Sequence, residues 1–109
     1  MKKDLPDNTV EDIAIAVVLD NATPDSKEWN VYLINLKNET IETVLVSSKG
    51  YGLKDGEEVK TSILSHSIGD VPARDYAKIE AIDEQVFGLT NEYWLSYYIN
   101  GNIYDKKFI

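Results

Sequence analysis

The dipeptide Asn100-Gly101 lies between two strand-like runs, residues 93–99 and 102–109, whose aromatic side chains fall on both faces. A two-residue type I′ turn needs positive φ at both central positions, which asparagine and glycine adopt at low cost. The spacing therefore predicts a tight antiparallel hairpin. A hairpin turn of fixed length also fixes register, and with it the face on which each side chain falls. Tyr93, Leu95, Tyr97 and Ile99 are expected to face a core, and Trp94 and Tyr98 to face outward.

The same period-two pattern recurs upstream. Residues 12–19 place Ile13, Ile15, Val17 and Leu19 on one face and Ala14, Ala16 and Val18 on the other; residues 20–28 read as a turn-rich loop. Residues 29–37 set Trp29, Val31 and Leu33 against Tyr32, Ile34 and Leu36, and residues 41–48 set Val44 and Val46 against Ile41, Thr43 and Leu45. The short connection at Asn38-Glu39 predicts that these two strands form a hairpin. Residues 49–58 hold Gly50, Gly52 and Gly56 and read as a loop before a strand over 59–67. Residues 74–82 alternate Ala77, Ile79 and Ala81 with Tyr76, Lys78 and Glu80, the pattern of a half-exposed strand. Asp83 is suited to cap a single helical turn that carries Val86 and Phe87 inward and stops at Gly88.

These elements predict an all-β fold, an immunoglobulin-like β-sandwich of about seven antiparallel strands, with a small barrel as the competing closure. The 109 residues suit one domain over 11–109, preceded by a polar tail over 1–10 that contains Pro6.

Composition narrows the chemistry. The chain has no cysteine and one histidine, His66, so thiol catalysis, disulfides and thiolate metal sites are excluded. The net charge is −8 and the one arginine is Arg74, which speaks against a nucleic-acid partner. The apolar run from Ile13 to Leu19 is too short to cross a bilayer, and Met1-Lys2-Lys3 is not followed by an apolar segment. A cytoplasmic location and no membrane partner are expected.

No catalytic residue, cofactor site or metal site is expected. Ser65, His66 and Asp70 or Asp75 carry triad chemistries, but adjacent strand residues point to opposite faces, and His66 reads as a surface residue. Asp20, Asn21 and Asp25 offer oxygen ligands on a loop without calcium-loop spacing. The glycines around Tyr51 lack the Gly-Lys-Ser/Thr of a phosphate loop. Asn21-Ala22-Thr23 and Asn38-Glu39-Thr40 match the glycosylation pattern, which has no use without secretion. The remaining feature is aromatic: Tyr32, Tyr51, Trp94, Tyr98 and Tyr104 are candidates for an interaction surface, because outward rings on a sheet mark partner or ligand faces.

Residues 12–18 (DIAIAVV), 29–35 (WNVYLIN), 46–51 (VSSKGY) and 104–108 (YDKKF) resemble a family of small uncharacterised bacterial proteins of Bacteroidetes type. Some of its members are labelled as a phenylalanyl-tRNA synthetase subunit. The resemblance covers roughly residues 11–109 and implies no catalytic residue. A class II synthetase core needs several arginines and a longer chain, so the label implies at most an accessory module here. The functional expectation is a non-enzymatic sandwich acting through protein contact and self-association as a homodimer. A small-molecule or carbohydrate-binding module using Tyr51, Trp94 and Tyr98 is the alternative.

Overall fold

The computed structural model describes residues 9–109. Eight strands follow in chain order: β1 (Ile13–Ala22), β2 (Lys27–Asn35), β3 (Ile41–Lys54), β4 (Glu57–Lys60), β5 (Leu64–Val71), β6 (Tyr76–Ile82), β7 (Thr90–Ile99) and β8 (Asn102–Phe108). Strands β1-β2-β6 form one antiparallel sheet. A second, five-stranded sheet runs β4-β3-β7-β8, with β5 also paired to β3. The fold is all-β, two stacked antiparallel sheets, as the alternation predicts.

The Asn100-Gly101 turn has φ of 50° and 80° at its two central residues and sets Tyr97 against Tyr104 and Tyr93 against Phe108. Tyr93, Leu95, Tyr97 and Ile99 are buried, while Trp94 and Tyr98 are exposed, as expected. Val31 and Leu33 of β2 complete the opposing wall with Ile79 of β6. The expected turn at Asp83 also forms: its carboxylate accepts from the Gln85 amide and caps a 3₁₀ turn over Glu84–Val86. Phe87, expected inward, is instead exposed and packs edge-on against Trp29.

Residues 49–58 are not a loop. β3 runs on to Lys54 and turns at Asp55-Gly56, with φ of 54° and 80°, into β4. This is a second turn of the Asn-Gly type, built on Asp-Gly. β1 likewise extends to Ala22, and the expected strand over 59–67 divides into the end of β4 and the start of β5.

The expected β2–β3 hairpin does not form, because the two strands lie in different sheets. The cause is Asn35, fully buried at the end of β2. Its amide donates to the carbonyls of Glu39 (3.0 Å), Val71 (3.1 Å) and Pro72 (3.0 Å), and its side-chain oxygen accepts from the Lys37 amide (3.0 Å). The connection is thereby pinned to the end of β5, and Ile41 enters the second sheet opposite Val71. Thr43 then adopts a φ of 50° at an irregularity in the ladder, which shifts the facing so that Ile41, Val44 and Val46 are all buried. Ile41 was expected on the opposite face from the two valines.

Residues 1–8 of the expected tail lie outside the described residues. Val10 packs partly buried against the core and so belongs to the domain.

Asn35→Ala should lower unfolding stability by about 2–4 kcal/mol, since removing one side chain abandons several buried backbone partners. The check is a urea titration; a loss below about 0.5 kcal/mol, the scale of an ordinary surface change, would show that the crossover does not depend on this amide.

Candidate functional site

The five-stranded sheet places Tyr51, Trp94 and Tyr98 on its outer face. Ser47 lies opposite Trp94, and Thr90, one strand over, lies opposite Tyr51. Exposed Leu45 and Ile103 share this face. The other two candidates are elsewhere. Tyr104 is opposite Tyr97 on the inner face, its ring stacked on Tyr97 at 5.3 Å, so it belongs to the core and not to an interaction surface. Tyr32 is on the outer face of the three-stranded sheet. Its hydroxyl donates to Asp20 at 2.6 Å and its ring meets Tyr76 edge-on. Register parity, which is countable in the sequence, assigns Tyr104 inward; the sheet that holds Tyr32 is not countable.

The rings of the outer face are partly covered. Lys107 sits over Trp94 at 5.0 Å and Lys49 over Tyr51 at 5.7 Å. Both lysines converge on Glu92, at 3.3 Å and 3.8 Å, and Glu92 is buried although it lies on an outer strand face. Burial raises the Glu92 carboxyl, but the hydrogen bond and charge of Lys107, with Lys49 and the Tyr51 hydroxyl, outweigh it and hold the group below the usual range. A sugar ring stacking on Trp94 or Tyr51 would first have to displace a lysine. Half of the Trp94 surface remains open, at 47% exposure.

A second site was not visible as such in the sequence. β6 carries one extra residue relative to β2: Val31 pairs with Glu80 and Tyr32 with Lys78, leaving Ile79 unpaired between them. Such a bulge breaks the alternation and re-aims the side chains that follow. Ile79 and Glu80 both turn inward, so Glu80, expected on the polar outer face with Tyr76 and Lys78, crosses the gap between the sheets. There its carboxylate accepts from the Ser48 hydroxyl at 2.8 Å and the Tyr93 hydroxyl at 3.1 Å, and bonds the His66 ring at 2.7 Å. His66 is thus a half-buried partner of a carboxylate rather than a free surface residue.

The remaining sequence candidates do not assemble. Ser65 faces the opposite way from His66 and pairs with Ser47 at 3.4 Å. Asp70 accepts from the Thr43 amide and Asp75 from the Tyr76 amide. Asp20 takes Asn30 and Tyr32 as partners; the Tyr32 hydrogen bond, then that of Asn30, holds its carboxyl below the usual range. Among the described residues no group of three or more His, Asp or Glu is placed to hold a metal ion, and no helix is long and apolar enough to cross a membrane.

No family model, curated protein or solved structure matches this chain.

Two inner tyrosines carry a pH signature. Burial, reinforced by the Glu80 carboxylate, holds the Tyr93 phenol well above its ordinary range. Burial, with Tyr104, Glu39 and Glu11 nearby, pushes Tyr97 up to about 12. A folded-state value above the unfolded one means that the folded chain keeps a proton the unfolded chain loses above its ordinary pKa of about 10. Their contribution is intact below about pH 10 and disappears as pH rises toward 12. Urea midpoints should therefore fall between about pH 9 and pH 11, and fall less in Tyr97→Phe. The Tyr97 hydroxyl is buried with no hydrogen-bond partner among the described residues, so at neutral pH this variant should be as stable as the parent or more so. An equal alkaline fall in parent and variant would show that Tyr97 is not one of the groups responsible.

Proposed function

We propose that this chain is a non-catalytic, immunoglobulin-like β-sandwich that works by protein contact, and that it self-associates through the edge of β1 that is unpaired among the described residues. The observation that carries the reading is the character of that edge. Strand edges that stay unpaired in water are guarded by charge, proline, bulges or brevity. The edge strand β8 carries Asp105, Lys106 and Lys107; β6 carries Lys78 and the bulge at Ile79; β4 is four residues long. β1 runs from Ile13 to Leu19 with neither a charge nor a proline, and its irregularity comes only at Asp20. Val17, Val18 and Leu19 are exposed, Val17 at 48%.

A second copy of the same edge is the occupant that fits. Antiparallel pairing about a two-fold axis at Val17 sets Ala16 against Val18 and Ile15 against Leu19 of the other copy. It keeps the inner faces of both sheets on the same side, and it leaves Asp20 facing Ala14 rather than Asp12. The result is a continuous six-stranded sheet across two chains. A mostly apolar groove of about 310 Å³, bounded by Val18, Ile34, Tyr32 and Tyr76 with Asp20 at its side, continues the contact onto the outer face. The immunoglobulin-like assignment is supported by strand order, with β1 and β2 beside β6 in one sheet and β3 beside β7 and β8 in the other.

Light scattering at micromolar concentration should give twice the 12.3 kDa chain mass. Val17→Lys places a charge at the centre of the edge and should return the mass to that of one chain with an unchanged far-ultraviolet spectrum. A parent protein that is already monomeric would remove the proposal.

A further inference from the structure

Glu80 has an arrangement that self-association does not use. Its carboxylate is largely buried, and its partners are two hydroxyls and one imidazole; among the described residues no lysine or arginine pairs with it. Beyond it opens a cleft of about 190 Å³ between the sheets, walled by Leu64, Ile82, Val86 and the ring of Tyr93. Most donors around the cleft are committed, the Lys49 ammonium to Glu92 among them, and the Ser62 hydroxyl lies at its exposed mouth. Ser48 and Tyr93 donate to Glu80, the Asn91 amide donates to the carbonyls of Val86 and Leu89, and the Gly50 amide donates to Thr61. The Asn91 side-chain oxygen is left turned toward Gly50, where a Cβ would come within 3.2 Å of it. The cleft thus offers acceptors and the carboxylates of Glu80 and Asp83, set in largely apolar walls.

We propose that this cleft binds a small organic cation, a primary ammonium on a short aliphatic stem, with Glu80 as its counter-charge. An ammonium brings three donors and no acceptor, the complement of this lining. An ionised carboxylate in a poorly hydrated site gains most from an opposite charge. At roughly 30 Å³ per water, the cleft has space for about six non-hydrogen atoms, which suits n-butylammonium. The bulge at Ile79 is the structural reason the site exists, because it delivers the carboxylate of one sheet to the donors of the other.

The test is an amide NMR titration of the full chain with n-butylammonium chloride, with n-butanol as the uncharged control. Saturable shifts at Ser48, Gly50 and Asn91, with a Kd of about 1 mM, are expected for so small a ligand; n-butanol should give none. Glu80→Gln, which keeps hydrogen-bonding capacity and removes the charge, should weaken binding at least about tenfold. Should that variant fail to fold, Ser62→Lys at the exposed mouth serves instead: its tethered ammonium competes for the site and should abolish the shifts without altering the partners of Glu80. The proposal is overturned by absent or non-saturating shifts, by an equal response to n-butanol, or by undiminished binding in either folded variant. None of these results depends on whether the protein is a dimer.

Discussion

The ladder between β3 and β7 holds the rest of the molecule in place. β3 is fourteen residues long and β7 ten, and their pairing runs from Glu42 opposite Tyr98 to Tyr51 opposite Thr90. Every other strand of the larger sheet joins one of these two: β4 and β5 pair with β3, and β8 pairs with β7. The inward residues of the same two strands, Val44 and Val46 with Leu95 and Tyr97, are the apolar surface on which β1, β2 and β6 rest. Burial of such side chains is the main favourable term in a domain of this size, and it is available only if the register is right.

That dependence explains where polar groups occur inside. Asn35 is buried because a chain leaving one sheet for the other must satisfy backbone carbonyls that no ladder reaches. Glu80 is largely withdrawn from water because three donors on the opposite sheet meet it. Neither group adds apolar contact. Each marks a place where the two sheets must be joined in one relative position, and both stand at points where regular alternation stops.

Much of the fold is legible in the sequence wherever alternation is unbroken. Residues 93–109 disclose their turn, register and facing, because one dipeptide and a period of two determine all three. Legibility fails wherever a residue is inserted or a turn leaves the plane of the sheet. Nothing local distinguishes a connection that folds back from one that crosses between sheets, since the partners of Asn35 lie up to 37 positions away. The inward turn of Glu80 depends on one unpaired residue, and the bulge is invisible until β2 is laid beside β6. Asp55-Gly56 was readable by the rule that identifies Asn100-Gly101, but its neighbours, Leu53 apart, are charged and so hide the strands. The outer rings Trp94 and Tyr98 follow from parity alone; the facing of Tyr51, in a stretch that reads as a loop, does not, and neither do the lysines that cover Trp94 and Tyr51.

The single inserted residue in β6 has a consequence for any chain built on this plan. Were Ile79 to pair with Val31 instead of bulging, alternation would be strict and every side chain from residue 80 onward would exchange its outlook. Water would receive the acid, the gap between the layers would receive Ala81, and the hydroxyls and imidazole opposite would be left facing a methyl group. One bulged residue is therefore the difference between a carboxylate held inside the sandwich and one given to water.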